Sequence, residues 1–102
     1  MPNSSSGEFS DLPQPPLQVI YSGRVQGVGF RWTCQAIARH HPVSGTVKNL
    51  IDGTVELFAD GDGRDVRSFL AEIQQAMSGH IERVEITPVQ ESVQYVGFRI
   101  VY

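Results

Sequence analysis

The spacing of apolar residues changes period four times along the chain, and that order limits the fold more than any other feature. Leu17 to Ser22 is a short aliphatic and aromatic run that reads as a strand. Phe30, Cys34, Ile37 and Ala38 then recur at helical spacing, so a helix is expected from about Arg31 to His40. Pro42 cannot continue it, and Arg39 and His40 suit the negative end of its dipole. Ser44 to Leu50 and Thr54 to Asp60 read as two strands joined at Asp52-Gly53, a hairpin signal because that turn needs positive φ. Asp62 is the expected N-cap of a second helix whose stripe is Val66, Phe69, Leu70, Ile73 and Met77. Gly79 is its expected C′ stop. Strands are expected again over Glu82 to Val89 and Tyr95 to Tyr102. The order is βαββαβ with one extra strand. An α+β fold with two helices on one face of a mainly antiparallel sheet satisfies it most economically.

Domain organisation follows from composition. Met1 to Pro16 holds four of the six prolines, with several serines, so residues 1–16 read as a disordered tail, native or left by cloning. Residues 17–102 form the expected domain, long enough for one modest core. No apolar run is long enough to span a membrane, and no basic start leads into an apolar stretch. The single cysteine, Cys34, can form neither an internal disulfide framework nor a multi-cysteine zinc site. A reduced, cytoplasmic monomer without metal or cofactor is the expectation.

The net charge of −3 argues against a nucleic-acid partner. Its distribution is uneven. Leu12 to Ile51 contains no Asp or Glu and carries Arg24, Arg31, Arg39 and Lys48. A cationic third in an acidic protein favours a small anion over a polyanion.

Two segments could serve such an anion. Gly27-Val28-Gly29-Phe30-Arg31 lies between the first strand and the first helix. Glycines let successive N–H groups turn inward as a nest, the helix start adds unpaired N–H groups, and Arg31 adds a planar fork matched to phosphate. The second segment is Gly45-Thr46-Val47-Lys48-Asn49, ahead of Asp52-Gly53. Asparagine is disfavoured in strands, so Asn49 either shapes the turn or positions a water beside the anion.

Tyr21-Ser22-Gly23-Arg24-Val25-Gln26-Gly27-Val28-Gly29-Phe30-Arg31 closely resembles the first signature of the acylphosphatase family. Gly45-Thr46-Val47-Lys48-Asn49, with Gly53, Val55 and Gly61, resembles its second, and Phe98-Arg99-Ile100-Val101-Tyr102 is similar to its closing strand. The resemblance implies a ferredoxin-like α/β sandwich that hydrolyses the carboxyl-phosphate bond of small acyl phosphates, releasing inorganic phosphate. It implies phosphate binding by Gln26, Gly27, Val28, Gly29, Phe30 and Arg31, and catalytic roles for Arg31 on phosphate and Asn49 on the attacking water. Two positions depart from the family pattern. Thr46 stands where an aromatic residue is usual, and His41-Pro42-Val43 replaces a glycine-containing link.

The chemistry asks for little more. A carboxylate leaves as an anion, its conjugate acid having a pKa of about 4 to 5, so no general acid is required. Other residues have plainer readings. His40 and His41 point about 100° apart on a helix and cannot chelate one metal together. Asp60, Asp62 and Asp65 lack the closing glutamate of a calcium loop. Cys34 reads as a small buried hydrophobe, and Gln26 as hydrogen-bonded within its loop. Trp32 either packs over the phosphate loop or enters the core. Two alternatives remain: a non-catalytic acyl- or carbamoyl-phosphate-binding module of the same fold, and an RNA-binding domain of the same element order. The latter would need exposed aromatics on its middle strands.

Overall fold

The structure is a computed structural model and describes residues 11–90 and 95–102, so residues 1–10 of the expected tail lie outside the described residues. Its elements are β1 (Leu17–Gly23), α1 (Phe30–Ala38), β2 (Ser44–Asn49), β3 (Val55–Asp60), α2 (Gly63–Ala76), β4 (Ile81–Pro88) and β5 (Phe98–Val101). The five strands form one sheet in the order β4-β1-β3-β2-β5. β3 is antiparallel to both β1 and β2, β4 is antiparallel to β1, and β5 lies parallel to β2. The first four strands make the split βαβ arrangement of a ferredoxin-like fold, and the fifth widens it into a mixed sheet.

Alternation along the strands sorts the two faces. Leu17, Val19 and Tyr21 of β1, Val47 of β2, and Val55, Leu57 and Ala59 of β3 are buried beneath the helices. They meet Phe30, Cys34 and Ile37 of α1 and Val66, Phe69, Leu70 and Ile73 of α2 in one core. Each fully buried large side chain contributes about 1.5–3 kcal/mol, which outweighs the weak propensity of a nine-residue helix such as α1. The opposite sheet face is mixed: Gln18 donates to Glu56 at 2.9 Å between β1 and β3, and Phe58 stacks on Tyr95. Leu12 also packs against the core, and the Pro16 carbonyl accepts from the Val89 N–H at 2.9 Å.

Asp62 caps α2 as expected, its Oδ1 accepting from Arg64 N at 2.9 Å. The expected stop at Gly79 is corrected. Met77 is the C-cap, at φ −115°, and Gly79 does not adopt positive φ, so no left-handed glycine terminates the helix. The chain turns instead through bonds from His80 N and Ile81 N to the Met77 carbonyl. The hairpin is also looser than expected. Leu50 N donates to Thr54 O and Gly53 N to Leu50 O, leaving a three-residue loop in which Gly53 alone has positive φ, at 93°. The last strand starts at Phe98 rather than Tyr95, after Gly97 takes φ 70°.

This topology positions the site. β1, β2 and β5 point the same way, so their carboxyl ends share one edge of the sheet. Loops beyond the carboxyl ends of strands are where open sheets place ligands.

Candidate active site

Three segments meet at that edge. The loop of residues 24–29 leaves β1 and enters α1. It is pinned at both ends, because Tyr21 and Phe30 are both buried and pack with ring centroids 4.9 Å apart. Between these anchors Gly27 (φ 76°) and Gly29 (φ 79°) adopt the left-handed region. A Cβ at either position would meet nothing within 4 Å, so backbone conformation rather than crowding demands glycine, and open space lies beyond.

Gly29 is the N-cap of α1 and has no side chain to satisfy the helix start. Among the described residues no backbone carbonyl accepts from the N–H groups of residues 27–32. The first bond of the helix, Thr33 N to Gly29 O at 2.9 Å, forms only beyond them. The helix therefore presents open donors and the positive end of its dipole.

Asn49 arrives from β2. Period two puts it on the face of buried Val47, toward the helices. Its Oδ1 is buried and has no hydrogen-bond partner. An orphaned buried acceptor costs about 1–3 kcal/mol unless something donates to it. β5 supplies the third wall. Val47 pairs with Ile100 in parallel register, and two residues further along the two strands come Asn49 and Tyr102.

These segments enclose a cleft of about 220 Å³. Gly27, Gly29, Phe30 and Arg31 line it from the loop and helix start, Asn49 from β2, and Ile100 and Tyr102 from the chain end. Val25 and Trp32 complete the lining. Arg31 is the only charged residue among them. It makes no ion pair among the described residues, and its guanidinium carbon sits 4.8 Å from the centre of the Tyr102 ring. A cation–π contact holds the group without neutralising its charge.

Of the residues the sequence singled out, the structure brings Gly27, Gly29, Phe30, Arg31 and Asn49 around one cleft. Phe30 buries its side chain in the core. Val28 packs against the core, and neither it nor Gln26 lines the cleft. The expectation that Gln26 bonds within its own loop is corrected. Its Nε2 crosses to the hairpin and donates to Leu50 O at 2.7 Å and Thr54 O at 2.9 Å. Each carbonyl already accepts one backbone bond of the hairpin, and the Gln26 amide adds a second to both.

Trp32 resolves between its two readings: it is 66% exposed at the cleft rather than in the core. Tyr102 was not singled out by sequence, because its place depends on the parallel β2–β5 pairing, which leaves no local signal. Thr46 lies outside the cleft, lining a separate hollow with Gly45, Tyr95 and Arg99, so its departure from the family pattern does not touch this site. Cys34 is buried, and burial pushes its thiol well above the ordinary range, so it is not poised as a nucleophile. His41 leaves α1 to bond Glu72 of α2 at 2.8 Å, a structural tie far from the cleft lining.

A comparison with known protein families matches residues 17–100 to the acylphosphatase family. The chain belongs to the acylphosphatase family. It is 40% identical over 83 residues to an acylphosphatase of Lactobacillus gasseri, covering 79% of this chain and 91% of that one. Among solved structures it resembles the acylphosphatase of Bacillus subtilis, with a TM-score of 0.74, 32% identity, and coverage of 84% of this chain and 97% of that one. A further match is HypF of T. kodakarensis, at TM-score 0.75 and 27% identity. It covers 85% of this chain but only 12% of that protein. The matched residues 17–100 include all of the cleft lining except Tyr102.

Proposed function

We propose that the cleft hydrolyses the carboxyl-phosphate bond of small acyl phosphates, with Arg31 and Asn49 as its catalytic residues. The observation that carries this reading is the convergence of three unsatisfied groups on one cleft: the open N–H groups of Gly27, Gly29, Phe30 and Arg31, the unpaired Arg31 guanidinium, and the orphaned Asn49 Oδ1. The loop N–H groups and Arg31 hold the phosphate and stabilise the charge that spreads over its oxygens. Asn49 Oδ1 accepts a hydrogen bond from water and aligns it opposite the departing carboxylate. The water oxygen bonds to phosphorus, the bridging P–O bond breaks, and its electron pair leaves with the carboxylate. The water's proton passes to a phosphate oxygen, so RCO–OPO₃²⁻ and H₂O become RCOO⁻ and H₂PO₄⁻.

The proposed chemistry runs on hydrogen-bond donors and the Arg31 charge rather than on a metal. Among the described residues no helix is long and apolar enough to cross a membrane. A cytoplasmic, monomeric protein with residues 17–102 as its domain completes the proposal.

The test is phosphate release from benzoyl phosphate in excess EDTA. The native chain turns over, and Arg31→Ala loses on the order of 10²–10³ in rate or more. Arg31→Lys fails nearly as badly, because a point charge does not reproduce the fork. EDTA-sensitive turnover would overturn the metal-free reading. Phosphate binding without turnover would favour the non-catalytic module.

A further inference from the structure

The phosphate cleft leaves the departure at Thr46 without a role. An aromatic residue is usual at that position in the family pattern, and threonine is much the smaller side chain. Val47 faces the helices, so period two turns Thr46 to the opposite, open face of the sheet. Its partners in register are Phe58 on β3 and Arg99 on β5. On that face Thr46, Tyr95, Val96, Arg99 and Val101 line a hollow of about 260 Å³, with Gly45 beside them. It shares no lining residue with the phosphate cleft. A side chain longer than threonine at this position would extend into that space. One wall is an aromatic face, because Tyr95 stacks on Phe58 with ring centroids 6.4 Å apart and planes 26° apart. Arg99 is exposed and makes neither an ion pair nor a cation–π contact among the described residues.

We propose that this hollow is a second binding site, one for small aromatic monocarboxylates. The ring of the ligand takes the space that an aromatic side chain at position 46 would fill, against Tyr95, Val96 and Val101. Its carboxylate accepts from the planar fork of Arg99 and from the Thr46 hydroxyl. Size limits the ligand: pockets for drug-sized molecules start at about 300 Å³, so this hollow suits a single ring. Charge limits it further. A neutral arene would leave Arg99 unanswered. A phosphate or a dicarboxylate would bring a second negative charge toward acidic neighbours, since burial, with Glu56 and Asp60 nearby, holds the Tyr95 phenol above its ordinary value. The site takes nothing from Arg31 or Asn49, so it stands whether or not the cleft hydrolyses acyl phosphates.

The experiment titrates sodium benzoate into the ¹⁵N-labelled full chain and follows the backbone amide signals by NMR. Saturable shifts are expected at Thr46, Tyr95 and Arg99, and they persist in Arg31→Ala. Acetate, which carries the same charge without the ring, binds weaker by roughly tenfold. Arg99→Gln weakens benzoate roughly three- to ten-fold, as for a bidentate charged pair at a partly exposed site. Thr46→Trp fills the hollow from within and abolishes the shifts, while the dispersed amide spectrum of both variants shows that they fold. Shifts confined to the loop of residues 24–31 and lost in Arg31→Ala overturn the proposal, because benzoate then sits in the phosphate cleft alone. No saturable shift at millimolar benzoate overturns it as well. So does benzoate binding that neither Arg99→Gln nor Thr46→Trp alters, and so does acetate binding as tightly as benzoate, since the ring then contributes nothing.

Discussion

Asn49 is the residue on which the chemistry turns. Its buried, unpartnered Oδ1 carries a standing cost that only a donor in the cleft relieves. Asn49→Ala should therefore lower kcat by about 10²–10³ while leaving the competitive inhibition constant of inorganic phosphate nearly unchanged, because phosphate is held elsewhere. Steady-state kinetics with phosphate as inhibitor separates the two effects. Tyr102 makes a smaller contribution through Arg31. At an exposed site a cation–π contact is worth about 0.5–1 kcal/mol, so Tyr102→Ala should raise KM for acetyl phosphate roughly two- to five-fold. Tyr102→Phe, which keeps the ring, should stay near native. The sequence drew attention to Arg31 through the glycine loop that precedes it, and to Asn49 through its place in a strand that disfavours it. Tyr102 drew none, since its place depends on where β5 docks, a contact between segments some fifty residues apart.

At the scale of elements, the phosphate loop and the β2–β3 hairpin are one unit joined by Gln26. Its two bonds to the Leu50 and Thr54 carbonyls hold Asn49 at a fixed height relative to the loop. Gln26→Ala should cost about 1–2 kcal/mol and raise KM. Gln26→Glu should cost more, because a carboxylate would face two carbonyl oxygens instead of donating to them. Thermal denaturation of both variants beside the native chain checks the order. The hairpin has its own lock: Asp52 Oδ1 accepts from Thr54 Oγ1 at 2.6 Å and from Thr54 N at 3.0 Å, and these bonds hold its carboxyl below the ordinary range. A depressed carboxyl stabilises the fold above its unfolded pKa, and the contribution fades as pH falls through the folded value. The elements themselves were legible because apolar period and caps agree, as in Asp62 and the α2 stripe. Where reading failed, longer-range geometry decided. Gly79 meets the local requirement for a C′ residue, yet Met77 ends α2 through bonds from His80 and Ile81 that lead straight into β4. Gln26 looks like a loop residue until the hairpin is brought beside it.

The whole molecule adds a pH dependence and a field. Burial raises the Cys34 thiol, and burial with Cys34 nearby raises the Tyr21 phenol. Both are neutral acids whose folded pKa lies above the unfolded one. Their contribution is fully present below the unfolded value and is lost progressively as pH climbs from there toward the folded value. The unfolded thiol ionises near 8.5 and the phenol near roughly 10, so stability should decline from about pH 8.5 upward. The decline approaches about 1.4 kcal/mol per pH unit for each group. Urea denaturation between pH 7 and 10 measures this, and Cys34→Ala should flatten the onset. Arg31, the only charge lining the cleft, favours a small anion at the carboxyl ends of β1 and β2 within an otherwise acidic chain. The central claim is that water attacks phosphorus at this edge rather than the acyl carbon. It is tested most directly by hydrolysing benzoyl phosphate with the native chain in ¹⁸O-labelled water and weighing both products. The account predicts the label in inorganic phosphate and none in benzoate; label in benzoate would show acyl-carbon attack and contradict it.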